Sequence, residues 1–263
     1  TAGTVDVGTS TVVFGGSTNV TITGSMSFNN LTFYPSGGYT YTIAAGTTLT
    51  VNGTLNLSDG YVNTGSIYAK GDINVAATAD NGSAIITLNG TSTQLITCSG
   101  VAPGGHMTNT LNINNTSGIV TITGNCRPHN INLQAGTLTF LGGATYTIDD
   151  ADAITTSVGT TINFSGSSGS LVTLRSDTTA QWDLKVNANA SYSANYVDAQ
   201  YSNASGGRQI IAYYSVNSGN NTNWVFPNQL AFTTASQSII QNTASSIITV
   251  QVQEGGVTPV NVP

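Results

Sequence analysis

The chain has 263 residues, enough for one large domain, and 39% apolar content, enough to fill a core rather than leave a disordered polymer. Asp, Glu, Lys and Arg make up only 6% of it, against roughly a quarter in an ordinary soluble domain, and the net charge is −6. Five basic residues cannot line a phosphate-tracking groove, which excludes nucleic acid, and no apolar run approaches the ~20 residues of a membrane span.

Alternation with period two runs along most of the chain, and helical periodicity is nearly absent. In chain order the expected strands are Thr11–Phe14, Val20–Thr23, Tyr39–Ile43, Thr48–Val51, Ala84–Leu88 and Thr110–Ile113. Ile119–Thr123, Thr137–Phe140, Thr161–Phe164, Leu171–Leu174, Trp182–Val186 and Gln209–Tyr214 follow. Gly, Asn and Ser separate them. A sandwich, a barrel and a solenoid all fit that spacing. Short strands, turns without hairpin regularity and the loose recurrence of "TVNGT", "TLNGT" and "TITGN" favour the solenoid. The expected fold is therefore all-β, a right-handed parallel β-helix over residues 1–226. At about 20 residues per coil it would stack roughly eleven coils at ~4.8 Å, with Thr, Val, Ile and Asn repeating in ladders.

Several segments carry a resemblance. "AIITLNGTSTQLIT", "TLNINNTSGIVTITGN" and "AGTLTF" resemble the repeats of bacterial surface and autotransporter-like β-helix proteins. "SGSLVTLRSDTTAQWDL", "YVDAQYSNASGG" and "SGNNTNWVF" resemble the closing coils of such envelope proteins, which places Trp224 near the end of the helix. The resemblance implies an extracellular, structural or adhesive chain, usually without a reaction. Thr1 in place of Met, with no signal peptide ahead of it, is read as a mature or excised segment of an exported protein.

After "NNTNWVFPN" the text changes. From Leu230 it resembles the opening strands of a bacterial immunoglobulin-like module, yet 34 residues remain where a sandwich takes ~100. Residues 227–263 are thus read as a C-terminal strand extension. Ser246–Gln253 alternates, with Ile247, Ile248, Val250 and Val252 as its apolar residues, and Glu254–Gly256 suggests a turn. Two apolar strands are not stable alone. The segment can fold back on its own helix, be the stub of a truncated module, or add to another copy of the chain. The last choice makes a head-to-tail filament or layer, with the N-terminal edge around Val12 and Phe14 as acceptor.

Both cysteines and both histidines fall between Cys98 and His129. About one long coil separates Cys98 from Cys126, which suits a disulfide and an oxidising compartment. A Cys/His metal site with His106 and His129, and unlinked thiols, are the alternatives. Asp149, Asp150 and Asp152 form the one carboxylate cluster, a solvated turn or a weak calcium site. Asp6, Asp59, Asp72, Asp80, Asp177, Asp183, Asp198 and Glu254 are scattered, so separate coils would have to bring a catalytic pair together. No nucleophile elbow, phosphate loop or dinucleotide fingerprint occurs, and no cofactor or catalytic residue is expected. Tyrosines cluster early and late, Tyr34, Tyr39, Tyr41, Tyr61 and Tyr68 against Tyr192, Tyr196, Tyr201, Tyr213 and Tyr214, as strand packing or as platforms for surface glycans. The function expected is a non-catalytic extracellular or cell-surface subunit that self-associates by strand addition; a carbohydrate-binding adhesin and a polysaccharide-degrading enzyme are the alternatives.

Overall fold

A computed structural model describes residues 8–100, 105–107 and 109–227, and the backbone of strands 229–232, 250–254 and 258–259. The described residues are all-β, without a helix, and their strands are mostly parallel. The chain makes successive coils. The first holds β1 (Thr11–Gly16), β2 (Val20–Ile22) and β3 (Met26–Phe28); the second β4 (Asn30–Pro35), β5 (Thr40–Ile43) and β6 (Thr48–Val51). The third holds β7 (Leu55–Leu57), β8 (Tyr61–Asn63) and β9 (Ser66–Ala69). β1 pairs with β4 and β4 with β7; β2 with β5 and β5 with β8; β3 with β6 and β6 with β9. Three rows of strands are thus visited in rotation, which is a solenoid-like arrangement.

The rotation continues through β10 (Ile73–Val75), β11 (Ile85–Leu88) and β12 (Gln94–Cys98). Here the second row thins to single bridges, Gly60 with Ala79, Asp80 with His106 and His106 with Arg127. β13 (Thr110–Thr123) and β14 (Asn130–Leu141) each run through the third row, around a corner and into the first. The two segments expected at Thr110–Ile113 and Ile119–Thr123 are therefore one strand, with register shifts at the corner. Asn115 sits fully buried in that corner. Its amide donates to Gln94 Oε1 (3.0 Å) and Ser92 O, and its Oδ1 accepts from Gly118 N–H at 2.8 Å. The corner's buried polar groups thus find partners inside the protein. Gly136 follows on the next coil at φ +83, where a Cβ would lie 1.8 Å from Asn115 O, so only glycine fits.

β15 (Ala144–Ile148), β16 (Ala153–Thr156), β17 (Thr161–Ser165), β18 (Val172–Ser176) and β19 (Trp182–Lys185) carry the rows onward. β20 (Ser191–Asn195), β21 (Val197–Ala199), β22 (Ser202–Asn203), β23 (Ile210–Ile211), β24 (Val216–Asn217) and β25 (Trp224–Val225) complete them. Gln209–Tyr214 was expected as one strand, but only two of its residues pair as β23. Tyr214 turns the chain at φ +54, which ends the extended run. At the far end the Trp224 indole stacks on Phe226 and donates to Ser202 Oγ (3.2 Å).

Parallel in-register stacking places like residues on like residues. Leu31, Leu55, Ile73, Ile96, Ile122, Phe140 and Phe164 succeed one another up the first row, all fully buried. The coils differ in length, since side-chain partners one coil apart are separated by 18 to 30 residues, but the rungs stay aligned. Loops absorb the difference while strands keep their ladder.

Beyond Phe226 the backbone pairs differently. β26 (Gln229–Phe232), β27 (Val250–Glu254) and β28 (Thr258–Pro259) form an antiparallel sheet with β27 in the middle. Val250 and Val252 lie on that central strand; of the turn expected at Glu254–Gly256, Gly255 and Gly256 lie outside the described residues. Ile247 and Ile248 lie outside the described residues.

Candidate functional site

The corner between the second and third rows gathers most of the chain's rare chemistry. Cys98 stands above Val75 in the ladder of the first row and is bonded to Cys126 on the next coil (S–S 2.05 Å, Cα–Cα 5.3 Å). The disulfide overturns the Cys/His metal reading, because a bridged sulfur carries no thiolate to bind a metal. It also fixes the coil on which Arg127 and His129 follow.

Those two residues meet aspartates of the next two coils. Arg127 Nε donates to Asp149 Oδ1 and its Nη2 to Asp177 Oδ2, both at 2.8 Å. His129 is only 5% exposed, and its Nδ1 lies 2.8 Å from Asp152 Oδ2 and 3.2 Å from Asp149 Oδ2. The Asn130 amide donates to Asp152 Oδ1, and Asn130 Oδ1 accepts from the Ala153 N–H at 3.1 Å. On the other side His129 Nε2 lies 3.2 Å from His106 Nδ1, with the rings stacked at 5.5 Å. Asp149 and Asp152 therefore converge as the sequence suggested, with His129 added. Asp150 does not join them. Its carboxylate accepts from Thr178 Oγ1 (2.9 Å), and its N–H donates to Asp177 Oδ1. The three-aspartate calcium site is thus corrected to a two-aspartate, one-histidine cluster. Asp-x-x-Asp places two carboxylates on one side of a turn, whereas the neighbour at 150 points away.

Further down the same corner, Asp80 bridges His106 through the backbone. Burial raises its carboxyl above the ordinary value of 3.8, the nearby Asp59 charge adds to the rise, and His106 opposes it. The signal that sequence reading missed is this stacking of Asp80, His106, His129 and the aspartates on successive coils, because coil lengths vary and no fixed spacing announces it.

Tyrosines divide between core and surface. Tyr41 and Tyr146 are buried; the Tyr146 hydroxyl lies 2.9 Å from both Ile122 O and Leu141 O, either of which can take its one proton, and burial pushes its phenol well above the ordinary value of 10.0. Tyr34, Tyr39, Tyr61, Tyr68, Tyr213 and Tyr214 are exposed. Near the last coils Tyr196 and Tyr214 stack at 5.1 Å, and Arg208 lies 4.8 Å over the Tyr192 ring, beside a shallow groove that Tyr213 and Asn195 also line. At the opposite end, β1 pairs with β4 and with no other described strand. Phe14 of β1 is half-buried against Phe28 and Phe33, while Val13 is 57% exposed. No protein-family model matches the chain, and neither a curated protein nor a solved structure matches it.

Proposed function

We propose that residues 1–226 form a right-handed parallel β-helix and that the chain is a non-catalytic structural subunit of the cell surface or extracellular space. Subunits join end to end. The observation that carries this reading is the first rung. β1 presents an unpaired strand edge among the described residues, above a half-buried Val12 and Phe14, and open edges recruit strands. The C-terminal segment 227–263 supplies the joining strand. Because β27 is central in its own sheet, the available backbone belongs to the outer edges of β26 and β28, with Ile247, Ile248, Val250 and Val252 as the apolar complement. Such a contact repeats without closing into a ring, which gives a filament or layer.

Two further observations support export and a structural role. A disulfide joins adjacent coils, which fits an oxidising compartment, and the outer faces carry neutral Asn and Thr ladders that offer little repulsion between neighbours. Negative-stain microscopy of the full chain, and of a chain ending before residue 230, tests the assembly. Fibres in the first sample that vanish in the second are expected; compact monomers in both would overturn the proposal. The adhesin reading draws on one observation of its own, the exposed tyrosines around Tyr196, Tyr213 and Tyr214. Glycan binding by the monomer, lost on Tyr213→Ala, is its signature.

A further inference from the structure

The corner described above contains a set of ligand atoms rather than a set of charges. His129 Nδ1, Asp149 Oδ2 and Asp152 Oδ2 lie within 4.8 Å of one another. Zinc and similar ions hold nitrogen and oxygen at about 2.0–2.2 Å, so ligand atoms on one ion stand roughly 3–3.5 Å apart. The two nitrogen-to-oxygen spacings here, 2.8 and 3.2 Å, are close to that.

The remaining polar atom of each of these residues is tied to something else. Asp149 Oδ1 accepts from Arg127, Asp152 Oδ1 accepts from Asn130, and His129 Nε2 faces His106. That is the outer shell a metal site uses to aim its ligands. Two anionic oxygens meanwhile face one imidazole nitrogen, whose single proton cannot be shared well between them. Asp149, Asp150, Asp152 and Asp177 surround the corner, and among the described residues Arg127 is the one guanidinium paired with them. The His106 contact accommodates either tautomer. With a metal on Nδ1, His129 carries its proton on Nε2 and donates it to His106 Nδ1, without moving the ring.

We infer that His129, Asp149 and Asp152 bind one divalent transition-metal ion of the zinc class, which ties the corner before β14 to the corner before β16. Calcium fits poorly. It takes six to eight oxygens and two carboxylates supply few of them, with Asp150 turned toward Thr178. One imidazole with two carboxylates suits a borderline ion instead. His129 is buried but Asp149 and Asp152 reach solvent, which gives the ion an entry path and leaves coordination positions for water. The site is independent of how subunits assemble and holds equally for a filament or an adhesin.

The test uses tag-free, oxidised, full-length protein stripped with chelator and titrated calorimetrically with zinc chloride. One equivalent is expected, with preference over calcium chloride. Asp152→Asn, which keeps the side chain's shape, should weaken binding at least tenfold. Imidazole ¹⁵N resonances of the unmutated protein should move at His129 Nδ1 on zinc addition, a readout that does not depend on any variant folding. Absence of bound zinc, equal zinc affinity in Asp152→Asn, a shift at His106 Nδ1 instead, or preference for calcium would each overturn the proposal.

Discussion

On the outer side of the first row, Thr32, Asn56 and Asn74 stack on successive coils, Asn56 donating to Thr32 Oγ1 (3.0 Å) and Asn74 to Asn56 Oδ1 (2.9 Å). At the corner between the second and third rows, Arg127 and His129 of one coil pair with aspartates of the coils above, Asp149, Asp152 and Asp177, in a network of unlike charged groups. The two lie on different coils of the same stack. The first uses equivalent positions and short neutral side chains, which lose little entropy when ordered. The second depends on one disulfide and one irregular pair of turns. A repeating ladder tolerates the loss of a rung; a unique cluster does not.

The largest effect should come from the interior that supports both regions. Phe140 is fully buried between Tyr146 (4.9 Å, edge to face) and Phe164 (5.3 Å, stacked). Phe140→Ala should lower stability by about 3–5 kcal/mol in chemical denaturation. Removing the bridge with Cys98→Ala and Cys126→Ala together should cost roughly 3–4 kcal/mol, and a reducing agent should reproduce the loss in the unmutated chain and not in the double variant. By contrast Asn56→Ala, which breaks two hydrogen bonds of the neutral ladder, should cost about 0.5–1.5 kcal/mol. If the ladder variant proved as damaging as the disulfide variant, the contrast between the regions would fail.

The smallest effect concerns pH. Because burial and Asp59 hold Asp80's carboxyl above its ordinary value, the folded chain keeps that proton more tightly than the unfolded one. Its stabilising contribution is complete below the ordinary carboxylate range, about pH 4, and is lost as pH rises through the raised value. Asp80→Asn should therefore lose less stability than the unmutated protein across that window, measured by thermal melts at stepped pH. An unchanged pH profile would show that Asp80 does not titrate differently in the fold.

Much of the ladder was legible in the text. Thr48–Val51 and Thr161–Phe164 alternate so regularly that their strands follow from period two alone. Leu31, Leu55 and Ile73 fill the same slot on successive coils. Of the three-residue strands β2 was legible at Val20–Thr23, but β7 and β10 were not, because they are too short to show a period. Nor was the merging of two segments into β13, which depends on Asn115 and Gln94 satisfying a buried corner. At the charged corner, Asp149 and Asp152 stood out from composition, while the entry of His129 and the departure of Asp150 did not.

The class of structure is written along the chain: alternating short strands, neutral polar residues and irregular turns call for an all-β fold and favour stacked coils over a sandwich or barrel. Which unlike residues meet is set only when the coils stack. Alternation is a local property, set by the pleat of the strand, so it survives in a one-dimensional reading. The meeting of His129 with Asp149 and Asp152 depends on how much chain each loop takes up between rungs, a length that no strand pattern encodes.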